Sequence, residues 1–300
     1  MKPYQNDSKF LFLLFICFAQ LYVIEAFCNE SKLYSKEVKN AYLTIVNLAP
    51  ENPDSAFYLA KEMLVGSSLD DYAPLGLGYF GLAEALFYKG SYDSARIAYA
   101  DASSAFREIG DTARLAASYN NIGLIYTYIP DYKKALEAYE TSLDLERQLG
   151  NNLGIAQCHQ NIGIIYVNWE LYSRAMEHYD KALALYDEEK DSSAIADLAN
   201  NMGIIQVELA NYDEAFRYYK KSYLSFKKLD NNRGLASVSC NLALLFKYQE
   251  QYDRSLAYFQ EAIDLFTELK DRRGLVHCYS SLGSVFHLLG NDLKALEYFL

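Results

Sequence analysis

The chain has 300 residues, of which 51% are hydrophobic and 22% charged; this excludes a disordered polymer and a multi-span membrane protein, and it leaves ample apolar mass for a core. A formal net charge of −11 and a pI near 4.9 argue against nucleic acid as a partner, because a phosphate backbone needs clustered Lys and Arg.

The first 28 residues read as a separate segment. Lys2 and Lys9 flank a polar start, Phe10 to Ala19 is unbroken apolar sequence, and Leu21 to Ile24 extends it before Glu25. This is the layout of a secretory signal peptide, with a usable break after Ala26. The alternative is an uncleaved membrane anchor over residues 9–28, close to the ~20 residues needed to span a bilayer. Both place the remainder outside the cytoplasm, secreted or periplasmic, with the membrane touched only through this segment. A lipoprotein reading of Cys28 is weak, because Phe27 stands where a small residue is needed. Cys158, Cys240 and Cys278 lack CxxC spacing and read as small helix-packing residues.

Residues 29–70 predict two helices. Tyr34, Val38, Ala41, Tyr42 and Ile45 recur at spacings of three and four, and Asn52-Pro53 supplies a cap and a first-turn proline for a helix to about Val65. From residue 71 the chain repeats every 40 residues. Asp71, Asp111, Asn151, Asp191, Asn231 and Asp271 are candidate N-caps for a first helix of about 17 residues, and Ser91, Asp131, Asn211 and Asn291 for a second. Small residues recur in both helices: Ala83, Gly123, Gly163, Gly203, Ala243 and Gly283 in the first, and Ala95, Ala135, Ala175, Ala215, Ser255 and Ala295 in the second. Larger side chains there would hold the helices apart. Tyr139, Tyr179, Tyr219 and Phe259 follow in the second helix as packing aromatics. A slip-free period of this size predicts an all-α solenoid of antiparallel helix hairpins, not one globular core. The units are 71–110, 111–150, 151–190, 191–230, 231–270 and an incomplete 271–300, behind a degenerate leading repeat at 29–70.

Tyr119, Ile122, Gly123, Tyr126, Ala135 and Tyr139 match in order the pattern of the tetratricopeptide repeat, which the stretch 71–300 resembles. The departures are a period of 40 instead of 34 and no proline closing the second helix, which resemble the lengthened-helix subclass. Gln206 and Asp292 also break the pattern. The resemblance implies a right-handed superhelix whose inner groove is built from the first helices, with Asn121, Asn161, Asn201 and Asn241 pointing into it. Asn120, Gln160 and Asn200 widen this strip. A ladder of amides offers donors and acceptors to an extended peptide backbone, or else bridges neighbouring helices within the protein. The inner positions also hold Asp197, Glu208 and, as their one cation, Lys247. The paired cations of a carboxylate clamp are missing, so a protein or peptide partner with a neutral or basic extended segment is expected. Tyr128, Tyr218 and Tyr248 are expected near the groove edge or helix ends, and Trp169 at a hairpin turn.

Chemistry is hard to find in the sequence. His159, His178, His277 and His287 show no metal-ligand spacing, and no GxSxG or phosphate-binding glycine motif occurs, so no enzyme, metal or cofactor is expected. The expected function is a non-enzymatic interaction scaffold binding an extended peptide segment in its groove. The alternative is an extracytoplasmic input domain of a membrane signalling protein, such as a sensor kinase or tethered regulator, whose effector part lies outside this chain. Leu300 falls inside the sixth second helix, so a fragment or a continuing chain is expected.

Overall fold

The computed structural model describes residues 33–68 and 70–299, and the segment 1–28 read as a signal peptide or anchor lies outside the described residues. The described residues form fourteen α-helices and no strand. None of these helices is long and apolar enough to cross a membrane.

Two compact units divide between residues 169 and 170. The first holds α1 (Lys36–Leu48), α2 (Pro53–Val65), α3 (Tyr72–Tyr88), α4 (Tyr92–Glu108), α5 (Thr112–Tyr128), α6 (Tyr132–Leu149) and α7 (Asn152–Asn168). The second holds α8 (Tyr172–Glu189), α9 (Ser192–Glu208), α10 (Tyr212–Lys228), α11 (Asn232–Tyr248), α12 (Tyr252–Glu268), α13 (Arg272–Leu288) and α14 (Asp292–Phe299). Within each unit, helices adjacent in sequence pack on one another, and successive first helices also touch.

The turns explain why the period never slips. Each helix from α3 to α13 except α5, which runs into Pro130, is followed by a residue of positive φ, a Gly at 90, 110, 150 and 290 and a side-chain residue at Glu170, Lys190, Ala210, Asp230, Glu250 and Lys270. At most of these turns the amide of the next residue then reaches back to a carbonyl one turn up the old helix, as Asp111 N does to Phe106 O at 2.9 Å. That same residue starts the following helix. Asp111 accepts from Arg114 N at 3.1 Å, and Asp131, Asp191, Asn231, Asp271 and Asn291 cap in the same way. One residue thus closes one helix and opens the next. Asp71, Ser91, Asn151 and Asn211 occupy the cap position without a side-chain cap bond, contrary to the expectation. Asn151 instead donates its amide to Glu146 Oε2 at 2.8 Å.

The repeated aromatics are core. Tyr99, Tyr139, Tyr179, Tyr219 and Phe259 are each at most 2% exposed. Tyr139 lies over Gly123 of its own hairpin, where a Cβ would come within 2.7 Å of the ring, and it shares a cluster with Cys158, Ile162 and Ile165 of the next hairpin. The small residue and the ring are therefore one packing unit. Cys158, Cys240 and Cys278 are buried free thiols, and Cys278 Sγ lies 3.3 Å from Cys240 Sγ between successive first helices.

The leading hairpin α1–α2 is tied to the array by a buried polar knot. Tyr34, just before α1, donates to Asp111 Oδ2 at 2.6 Å, Arg114 pairs with the same oxygen at 2.7 Å, and the guanidinium sits 4.4 Å over the Tyr34 ring.

Candidate functional site

The amides predicted to line a groove are largely inside the protein. Asn120, Asn121, Asn161, Asn200, Asn201 and Asn241 are all below 10% exposed, and Gln160 is half-buried. Four of them form two pairs across successive first helices with one shared offset. Asn161 Nδ2 donates to Asn120 Oδ1 at 2.9 Å, and Asn241 Nδ2 donates to Asn200 Oδ1 at 2.8 Å. Asn121 Nδ2 donates to Glu84 Oε1 at 3.1 Å. The bridging role weighed for these amides is thus present. Asn201 is the exception: buried, with neither amide atom partnered among the described residues.

The charged residues predicted beside the ladder separate. Asp197 shares the face of α9 that carries Asn200 and Asn201 and is half-buried; burial, reinforced by the charge of Asp191, pushes its carboxyl up to about 8. Glu208 ends the same helix, about two turns beyond Asn201, where Tyr172 Oη lies 3.5 Å from its Oε2. This contact belongs to a second ladder. Tyr132 Oη meets Asn168 at 3.1 Å, and the rings of Tyr92 and Tyr212 stack on Tyr128 and Tyr248 at 5.3 and 6.5 Å. Tyr128 and Tyr248 are therefore packed at helix ends, half-buried against neighbours. Lys247 is only 2% exposed, with its ammonium 5.4 Å from the Tyr248 ring, so its charge is enclosed and not offered to a partner. Trp169 stands at the end of α7 as expected and meets Tyr166 edge-on at 5.8 Å.

The first unit carries a pocket that sequence reasoning missed. It is a small hollow of about 30 Å³ between α3, α5, α6 and α7, lined by Glu84, Glu146, Asn120, Asn121 and Gln157 with Phe80 and Ala117. Glu84 is 3% exposed; its Oε1 accepts from Tyr99 Oη at 2.5 Å as well as from Asn121. Burial pushes its carboxyl up to about 7, against the lowering effect of the Tyr99 bond. Glu146 is 5% exposed and shifted upward for the same reason. A signal was available in the repeat register. Glu84 stands where the next four units have Leu124, Ile164, Ile204 and Leu244 and the incomplete last one has Ser284, and Glu146 where others have Phe106, Tyr186, Phe226 and Phe266.

Solved structures of the same fold are numerous. The apo form of RapI aligns with a TM-score of 0.69 at 19% identity, over 88% of this chain and 95% of its own. A Rap protein complexed with competence and sporulation factor gives 0.69 at 14%, over 89% and 85%. NprR in complex with its cognate peptide NprX gives 0.65 at 17%, over 86% and 74%. At such identities the likeness is one of fold. No curated protein sequence matches the chain significantly. The tetratricopeptide repeat family model, however, matches residues 76–148, 114–188, 194–268 and 234–300. With most of its length covered by that pattern of first-helix small residues and second-helix aromatics, the chain belongs to the tetratricopeptide repeat family.

Proposed function

We propose that this chain is a non-catalytic protein-interaction scaffold that holds an extended, neutral or basic peptide segment along its first helices, where half-buried side chains such as Gln160 and Glu208 offer contacts and the buried asparagine pairs set the helices that present them. The observation that carries the reading is the repeated Asn–Asn pair at one register position. An amide offers two donor hydrogens and two acceptor lone pairs, and each pair bond uses one donor on one side and one lone pair on the other. The pairs therefore fix the spacing of successive first helices, and with it the half-buried side chains those helices carry. That is the preorganisation an extended backbone profits from, since the helices then lose little freedom on binding. The net charge of −11, with Glu208 half-buried at the end of α9, favours a partner without excess negative charge. The peptide complex of NprR, a protein of the same fold, lends support.

The test is panning of the full chain against a random peptide library, followed by titration of selected sequences. The expected affinity is about micromolar, near −8 kcal/mol. Asn161→Ala together with Asn241→Ala, which removes the donor of each pair, is expected to weaken binding about tenfold, or ~1.4 kcal/mol. Unchanged affinity in a variant with intact helicity and cooperative melting would mean that the amides are purely structural.

A further inference from the structure

The solvent face of α10 reverses the charge of the second helices beside it. Arg217, Lys220, Lys221, Leu224, Lys227 and Lys228 recur at spacings of three and four, which sets them on one stripe, and all six are exposed. At the same register positions α8 carries Glu177, Asp180, Asp187 and Glu188 against a single lysine, and α12 carries Glu261, Asp264 and Glu268 with no cation. The inversion is confined to one helix of a chain whose net charge is −11. Pairing within the protein does not account for it. Arg217 meets Glu214 at 2.8 Å and Lys227 lies 5.7 Å over the Tyr223 ring, but Lys220, Lys221 and Lys228 form no ion pair among the described residues. Like charges three and four apart lower a helix's stability, so the stripe is a cost that packing does not return.

We infer that this stripe is a docking surface for a slender acidic protein segment, a single amphipathic helix that sets Asp or Glu against the two lysine pairs and an apolar side chain on Leu224. The spacing defines the partner. Lys220-Lys221 and Lys227-Lys228 stand seven residues apart, about 10 Å along the axis, with Leu224 between them, so a partner helix matches with two acidic pairs seven apart and an apolar residue in the middle. The flanks limit its width. Tyr223 Oη donates to Glu261 Oε1 of α12 at 2.8 Å, and the Tyr218 phenol is raised by burial, then by the charges of Glu214 and of Asp180 in α8, so carboxylates border the stripe on both sides. A membrane surface would meet those carboxylates, whereas one helix, about 10 Å across, fits between them. The net charge does not forbid an acidic partner, because at ~0.1 M salt charges beyond about 10 Å are screened. The surface lies on a second helix and does not rest on the reading of the first helices.

The experiment titrates the full chain into a fluorescein-labelled capped peptide of about fifteen residues, with the centre Glu-Glu-Ala-Gln-Leu-Ala-Gln-Glu-Glu, and reads anisotropy. The expected result is a dissociation constant of about tens of micromolar at low salt, weakening steeply as salt is raised. A shuffled peptide of the same composition should bind at least fivefold more weakly, roughly the share due to register. Lys220→Glu with Lys221→Glu, and separately Lys227→Glu with Lys228→Glu, should each lose about tenfold or more. Lys36→Glu with Lys61→Glu, exposed in the first unit, changes the net charge equally and should leave binding within about twofold. No binding, equal binding of the shuffled peptide, or an equal loss in the first-unit variant would overturn the site. So would phosphatidylglycerol vesicles that bind through these lysines when the peptide does not, which would assign the stripe to a membrane. A dimer in sedimentation that the lysine variants abolish would overturn it as well, giving the face to the acidic helices of a second copy.

Discussion

At the scale of the residue, burial decides more than identity. Glu84 is raised from an ordinary 4.5 to about 7 chiefly because it is removed from water. A carboxyl with a raised folded value favours folding when protonated. That contribution is whole below pH 4.5 and is lost as pH rises through about 7, after which the curve levels. The difference is worth about 3 kcal/mol at most. Glu84→Gln should therefore stabilise the protein at pH 8 and flatten, without abolishing, the fall between pH 4.5 and 7, as read from urea midpoints across pH. A residual slope is expected because Glu146 and Asp197 are shifted in the same direction. An unchanged pH profile would show that Glu84 is solvated. The small residues make a second case. In Gly203→Ala the new Cβ would stand 2.5 Å from the Tyr219 ring, so the gain in helix propensity is outweighed and a net loss of about 1–2 kcal/mol is expected in denaturant melts.

Helices and turns are set by different physics. The six turns with a side-chain residue at positive φ carry a backbone strain that the glycine turns avoid. Ala210, at φ 59°, has no side-chain hydrogen bond to offset it, and Ala210→Gly should raise stability by about 1 kcal/mol, read as an upward shift in melting temperature. The leading hairpin illustrates the opposite case, a long-range tie. Arg114 and Asp111 are both nearly buried, and Tyr34 joins them from before α1. Arg114→Ala would leave Asp111 as an unpaired buried charge, with an expected loss of about 3–5 kcal/mol. A loss within the range of surface pairs would mean that α1–α2 is not held by this knot. The sequence marked α1 and α2 by their apolar spacing, yet gave no hint of the tie, because nothing local connects Tyr34 to residues 111 and 114.

For the molecule as a whole, location outside the cytoplasm is a proposal that rests on residues 1–28 alone. Mass spectrometry of the mature N-terminus after fractionation of the tagged full-length protein tests it. A start near Phe27 in an extracytoplasmic fraction is expected, and an intact Met1 in the cytosol would sink it. The 40-residue period, the hairpins, the helix boundaries and the small-residue and aromatic pairs were all legible in the chain by itself, because they depend on capping, turn geometry and side-chain size within one or two repeats. Which polar atoms pair was not legible. The Asn161–Asn120 and Asn241–Asn200 bonds each span 41 residues, and the enclosure of Lys247 follows from the packing around it. The pocket lies furthest from sequence reading: Glu84 and Glu146 each break the register visibly, but only the packing of α3, α5, α6 and α7 brings two distant departures to one hollow and supplies their partners Tyr99, Asn121 and Asn151.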